Sequence, residues 1–454
     1  MILPSLAVIA DAGENLVITD SKGELQESIS GYIAQRGYRI VTLNLRFPDQ
    51  SVRWNPLMPI SQAMADQRWA DATRMANDLA NILAMQGAPG GENGTFFLQS
   101  ARAIGASLAL LVAHQAPEAA RHVAPMYHVL TQHAQELEAI IQGLPPAHPA
   151  RQAYGPMLTG SPETTQNQMS VVAVSLSLFA DANIAWLTGA SDFEPIQLIR
   201  PRTAVFIVVP DDTATYYPLA ALFVTQILQT LANASARQSG GRLPVPVHMV
   251  LDEFGNLPKI PDFDTALAVA RGRGVRITLT LQSLSQLDDR YGQKTAETMR
   301  NTCNTWVYLS ANDNDTARVV SDKIGQTTIE TTSRGQNWQT GSRQWSENTN
   351  ATGRALLTPD EVLRWRPDQS LVLQMRQLPA KLPARLWMDW PQFAAAKSAW
   401  VAATDPADVT LPALWTPEPV ESSVKGAAVD LDPDAPMDSQ TSVDPSVVRW
   451  RPVT

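Results

Sequence analysis

A single cysteine, Cys303, stands in the whole chain, so neither an internal disulfide nor a zinc site built on cysteines is available to it. A reducing cytosol suits such a chain. The six histidines never take a spacing such as H-E-x-x-H, which leaves a dedicated metal centre without support. Long apolar runs are also missing. The best stretches, Ala103–Ala113 and Val171–Ala180, fall short of the roughly 18 residues a membrane helix needs and are expected to be buried helix. No basic segment precedes an apolar one at the start, so no signal peptide is expected and the chain as it stands is expected to be soluble. Lys and Arg number 35 against 44 Asp and Glu, a formal charge of −9 with a pI near 5.2. That excludes a protein that coats nucleic acid through its bulk field, yet allows basic groups along one loop or a ring lumen. There is also no Gly-Lys dipeptide, and therefore no G-x-x-x-x-G-K-[ST] phosphate loop.

What is present reads as a folded chain of two or three domains, with 44% apolar and 17% charged residues. Asn15–Asp20 and Tyr38–Leu45 are expected strands around a helix at Gln26–Arg36, one β-α-β unit. From residue 60 to 192 the period changes to three and four. Helical patterns run through Ala63–Met85, Phe96–His114, Met126–Gln142 and Gln168–Leu187. Strand patterns then return at Ala204–Val209, Val247–Leu251, Val275–Leu281 and Thr305–Leu309, separated by helices at Tyr216–Ala236, Phe263–Arg271, Thr295–Asn301 and Asp313–Ile324. This is an open α/β sheet with helices on both faces and an all-α segment inserted. The expected units are 1–59 and 193–402 for the sheet domain, 60–192 for the insertion and 403–454 for a disordered tail. Thr327–Gly353 is expected to be a polar surface hairpin or loop, and Thr358-Pro359-Asp360-Glu361 a capped helix start.

The strongest chemical signal is an apolar strand ending in adjacent carboxylates, Asp252 and Glu253. In a nucleotide hydrolase the first acid helps hold Mg²⁺ through water, and the second orients the attacking water. A strand followed by a capping acid is the plainer alternative. Arg271 and Gln282 follow 19 and 30 residues after Asp252. Gln282 ends the next strand, where a neutral amide can sense a terminal phosphate. Arg271 could stabilise charge building on a transferred phosphoryl group. Each also has a bland reading, as a polar strand end and a solvated helix end.

The run LDEFGNLPKIPDFDTALAVARGRGVRITLTLQSLSQLDDRYG resembles the core of TraG/TraD-type coupling proteins of conjugation and type IV secretion. In the same order, DSKGEL (Asp20–Leu25), WNPL (Trp54–Leu57), RPRTAVFIVVPDD (Arg200–Asp212), SDKIGQTT (Ser321–Thr328) and GRALLTPDEV (Gly353–Val362) match further strings of that family. The resemblance implies a RecA-like P-loop NTPase motor domain carrying an inserted all-α domain. It also implies a membrane-anchored homo-hexameric ATPase, with ATP and Mg²⁺ as cofactors. The implied partners are transferred single-stranded DNA with its relaxase, or effector proteins, and the type IV secretion channel. Asp252 and Glu253 then match the Walker B pair, Gln282 the motif glutamine and Arg271 the nucleotide-proximal arginine.

The family carries its membrane segment and phosphate loop upstream of D-x-K-G-E, and the expectation is a longer protein whose first part precedes Met1. The intact protein is then expected at the cytoplasmic face of the bacterial inner membrane. The alternatives are a non-hydrolysing ring subunit or substrate-binding adaptor, and a double-stranded DNA translocase. Lys22 is either a residue close to the nucleotide or a solvated turn residue. Trp338 and Trp345, with Arg334 and Arg343, either meet DNA, pack on a neighbouring subunit or lie on plain surface. His114, His122, His128 and His133 are expected on solvated helix faces, and Cys303 as a small buried filler.

Overall fold

The structure, a computed structural model, describes residues 1–87, 92–159, 162–339, 342–390 and 407–417. Helix α1 (Ile2–Asp11) leads into β1 (Asn15–Asp20), α2 (Glu24–Ala34) and β2 (Arg39–Asn44). β3 (Thr203–Val208), α11 (Tyr217–Ala236), β4 (Val247–Leu251), α12 (Phe263–Arg273) and β5 (Val275–Leu279) complete the main sheet. All five strands are parallel, in the order β2-β3-β1-β4-β5. β1 and β3 are buried along their whole length, which is why both are continuous apolar runs rather than alternating ones. One face is covered by α1 and α2, whose Leu6, Ala10, Ile29 and Ile33 meet Leu16, Ile18 and Phe206. The other face carries α11 and α12 and continues into the helical layer.

Between β2 and β3 no strand occurs among the described residues. The layer there consists of α3 (Met58–Ala65), α4 (Trp69–Gly87), α5 (Glu92–Gln115), α6 (Ala124–Gln132), α7 (Leu137–Gln142), α8 (Pro149–Tyr154), α9 (Pro162–Leu176) and α10 (Ala182–Thr188). It shares one contiguous apolar core with the sheet. The W-N-P-L string makes the joint. Trp54 lies edge-on to Phe223 at 4.8 Å, and its indole N–H donates to Gln226 Oε1 at 3.0 Å. Asn55 Oδ1 accepts the Leu57 amide, and its amide group donates to the Arg121 carbonyl. Three expected helices are each broken in two. The breaks lie at Gln67, which takes φ +56°, at His133, and at Asp181, whose carboxylate caps α10.

Further on come α13 (Ser285–Tyr291), α14 (Gln293–Thr302), β6 (Thr305–Tyr308), α15 (Asn314–Ile324), β7 (Gln326–Gln339), β8 (Ser342–Ala355), α16 (Pro359–Leu363), β9 (Gln369–Gln374) and β10 (Ala380–Pro383). The expectation that Thr305–Leu309 is a strand of the main core is corrected. β6 belongs to a separate antiparallel sheet, ordered β10-β9-β6. Among the described residues only one of its faces is covered, by α15 and Val362, and Val307 on the other is exposed. The polar stretch is a hairpin of two 14-residue strands, β7 and β8, with its described side chains almost all exposed. The side chains of Trp338, Arg343 and Trp345 lie outside the described residues, and Arg334 pairs with Glu347 at 3.3 Å. The capping box at Thr358 and Glu361 forms as the sequence implies.

Two further expectations meet the structure differently. α11 is long and apolar enough by composition to cross a membrane, although no such stretch is expected from the sequence. Most of its surface is buried between the sheet and α4, as in the core helix of a folded domain. Of the expected disordered tail, residues 407–417 lie extended across the helical layer; 403–406 and 418–454 fall outside the described residues.

Candidate nucleotide site at the carboxyl edge of the sheet

In a parallel α/β sheet every strand delivers its last residue to the same edge. Ligands bind where successive connections leave in opposite directions. Here the chain leaves β3 on one side of β1 and returns as β4 on the other. The switch therefore lies at the carboxyl ends of β1 and β4, where Asp252 and Glu253 emerge.

Three neighbours hold the acid pair. Thr19, on β1, donates its hydroxyl to the Asp252 carbonyl at 2.9 Å. Thr280, just past β5, donates its hydroxyl to Asp252 Oδ1 and accepts the Glu253 amide at 2.9 Å. Asn256 donates its side-chain amide to Glu253 Oε2 at 2.8 Å. Glu253 itself takes φ +48°, a conformation that costs a side-chain-bearing residue of order 1–3 kcal/mol and turns the carboxylate out of the strand direction. The turn beneath is rigid. Phe254 stacks on Phe263 at 4.8 Å and on Tyr291 at 5.9 Å, and the Tyr291 hydroxyl accepts the Ile260 amide. Gly255 is required there, because a Cβ would come within 2.5 Å of Gln286 Oε1.

The D-S-K-G-E string closes the neighbouring turn. Asp20 is buried, and its carboxylate accepts the amides of Gly23 at 2.9 Å and Gln26 at 2.8 Å. Burial pushes the Asp20 carboxyl up from its ordinary range, and the backbone N–H groups that face it hold it back. Gly23 takes φ +83°, which explains the glycine. Lys22 Nζ stands 3.9 Å from Asp211 Oδ2, and Arg46 Nη1 is 3.5 Å from Asp211 Oδ1. Tyr217, at the start of α11, is raised by burial first and then by the charges of Glu253, Asp211 and Asp212. The edge thus gathers carboxylates and cations from four strands.

Gln282 sits two residues beyond Thr280, exposed, with its backbone N–H on Gln286 Oε1 at 3.1 Å. It therefore shares the edge with Asp252, Glu253 and Lys22. Arg271 does not, against the expectation of one joint site. A helix linking two parallel strands must run back, so the last turn of α12 lies at the opening end of the sheet. There the carbonyls of Arg273 and Gly274 accept the amides of Leu243 and Val247. The length of β4, about 16 Å for five residues, separates that end from Asp252.

Among the described residues no group of three or more His, Cys, Asp or Glu could enclose a metal. Asp252, with one oxygen taken by a hydroxyl, fits a carboxylate that holds a hydrated Mg²⁺ through water rather than a ligand of a protein cage. Sequence reasoning missed Thr280, Asn256, Asp20 and Asp211. The only local signals were a threonine ending the β5 run, an asparagine three residues after Glu253, and the acids of D-S-K-G-E and V-P-D-D.

The family model for type IV secretory system conjugative DNA transfer matches residues 2–407. This chain belongs to that family. Its curated relatives include the conjugal transfer protein TraG of Rhizobium radiobacter, 28% identical over 50% of this chain and 35% of TraG. Protein VirD4 of Rhizobium rhizogenes is 24% identical over 81% of this chain and 53% of VirD4. The chain thus spans about a third to a half of the length of these relatives. In fold it is similar to the bacterial conjugative coupling protein TrwBdeltaN70 in its trigonal form with sulphate. The TM-score is 0.54 at 17% identity, over 86% of this chain and 83% of that one. The fold class expected from the sequence, a RecA-like α/β fold with an inserted helical segment, stands.

Proposed function

We propose that this chain forms the greater part of the motor of a coupling ATPase that moves conjugative DNA, or proteins, into a type IV secretion channel. The observation that carries this reading is the acid pair Asp252–Glu253, presented at the switch point of the sheet and held by Thr280 and Asn256. Bound Mg²⁺ supplies charge neutralisation between the phosphates of ATP. Asp252 presents its carboxylate, with Oδ1 held by Thr280, to the position a hydrated Mg²⁺ would take. Glu253, fixed by Asn256, orients the attacking water and takes its proton. Gln282 presents a neutral amide to the terminal phosphate. Lys22 and Arg46 put positive charge on the same edge.

Arg271, at the opposite end, serves the site of the next subunit in a homo-hexamer, where it stabilises charge on the transferred group. The phosphate cradle is supplied by residues outside these 454, which contain no Gly-Lys pair. The intact protein works at the inner membrane. Residues 60–192 form the part that meets the relaxase–DNA complex or effector proteins, since this helical segment supplies none of the groups that hold the acid pair.

The test joins these residues to an upstream phosphate loop and measures Mg²⁺-dependent ATP hydrolysis. Glu253→Gln is expected to keep nucleotide binding and lower turnover by two or more orders of magnitude. Turnover unchanged in that variant would remove the assignment. A protein that binds ATP without hydrolysing it would favour a non-hydrolysing ring subunit.

A further inference from the structure

The strands of the main sheet all open at the edge opposite the acid pair, and arginines stand at every opening but that of β1. Arg39 is the first residue of β2, Arg200 and Arg202 precede β3, and Arg242 leads into β4. Arg271 and Arg273 end α12 just before β5. The backbone draws them into one row. The Arg39 amide donates to the Arg202 carbonyl at 2.9 Å, and the Leu243 amide donates to the Arg273 carbonyl at 2.9 Å. Neighbouring strands lie about 4.8 Å apart, so the row is about 19 Å wide. Arg273 is half-buried and the others are exposed.

This charge is not balanced where it stands. Asp11 and Glu14, at the same edge, are already taken, Asp11 by Arg36 and Glu14 by His248 and Arg276. Arg39 meets only neutral acceptors, Gln197 Oε1 and the Asp192 carbonyl. Among the described residues, Arg200, Arg202, Arg242, Arg271 and Arg273 stand in no ion pair. A chain of net charge −9 thus concentrates a positive field at one edge, against its bulk field. The mutual repulsion of such a row is relieved when a polyanion arrives. A single strand held by its bases needs exposed aromatic rings to stack on. Here Tyr38 is buried, and the Tyr32 ring lies under Arg36. Arginines without such rings suit a partner met through its phosphates alone.

We propose that this edge is a track for the phosphate backbone of double-stranded DNA, bound without regard to sequence. A width of about 19 Å runs past about five or six phosphates of one strand, at 3.4 Å of helix axis each. The track needs Arg39, Arg200, Arg202, Arg242 and Arg273. Arg271, at the β5 end of the row, stays free for the next subunit. That the polyanion is DNA rests on the coupling-protein reading; the unpaired basic edge does not.

The probe is a fluorescent duplex of about 20 base pairs, its binding to the full chain followed by anisotropy from about 50 to 200 mM salt. About four neutralised phosphates give a slope of log K against log salt of about −3.6, so affinity should fall roughly 150-fold over that range. Arg200→Gln with Arg202→Gln should halve the slope and weaken binding at low salt at least about tenfold. Arg242→Gln with Arg273→Gln should do the same. Arg318→Gln with Arg376→Gln removes equal charge from the separate antiparallel unit and should leave the slope unchanged. None of these residues holds the acid pair, so a failed track leaves that assignment standing, and an inactive acid pair leaves the track standing. No duplex binding at low salt, a slope unchanged in both edge pairs, or an equal loss in the control overturns the proposal. So does tighter binding of a single strand of the same length or of phosphatidylglycerol vesicles. Self-association in light scattering that the edge variants abolish also overturns it, by giving the edge to a second copy.

Discussion

Removing one hydroxyl should loosen the acid pair without touching either acid. Thr280→Val keeps the shape of the side chain but deletes the group that donates to Asp252 and accepts from the Glu253 amide. A hydrogen bond to a charged partner contributes about 1.5–3 kcal/mol, and one to a backbone amide about 0.5–1.5 kcal/mol. Thr280 is half-buried, so water replaces part of what is lost, leaving about 1–3 kcal/mol. Because RT is about 0.6 kcal/mol, the Glu253 amide should exchange with solvent roughly 5- to 150-fold faster. Native-state hydrogen exchange reads this directly. The amide of Thr280, bonded to the Leu251 carbonyl at 3.1 Å, should keep its protection, since the β4–β5 ladder does not use the hydroxyl. Thr280→Ser keeps the hydroxyl and should stay within about threefold of wild type. If the Glu253 amide exchanges at the same rate in valine and wild-type proteins, or if serine is as damaging as valine, the argument that Thr280 holds the pair is wrong.

Gly255→Ala should destabilise the chain by about 1–3 kcal/mol, because its Cβ would approach Gln286 Cβ to 2.8 Å as well as Oε1. Thermal denaturation should show a lower Tm, only partly recovered when Gln286→Ala is added, because that variant removes the clashing amide but keeps the Cβ at 2.8 Å. His148, bonded through Nε2 to His114 Nδ1 at 2.8 Å, is lowered to about 4 by burial and by the neighbouring imidazole. Unfolded, it titrates near 6.5 and binds the proton more tightly, so its contribution is complete above that pH and is lost as pH falls towards 4. On the order of 2–3 kcal/mol should disappear across that window in urea melts. His148→Asn, whose side-chain oxygen still accepts the Ala150 amide, should flatten the slope.

The sequence by itself determined what local periodicity and short strings encode. The runs at Asn15–Asp20 and Val247–Leu251 became strands at those same residues, and the stretch between β2 and β3 carries helices and no strand among its described residues. Thr358 and Glu361 made their capping box, and Asp252 and Glu253 stand at a strand end, because each needs only neighbours within a few residues. Only the tertiary structure decided the rest. The order β2-β3-β1-β4-β5, and with it the switch point, depends on which strands pair across long loops, a choice that apolar runs of similar strength do not record. Thr280 bridges the acid pair from 28 residues away, through the register of β4 on β5. Arg271 faces the other end because α12 must run back between parallel strands. β6 left the main sheet for one whose single covered face suits its half-exposed residues. The extended segment at 407–417 shows no period at all, since it is held by the buried His122 and by Gly189, far away in the chain, rather than by its own pattern.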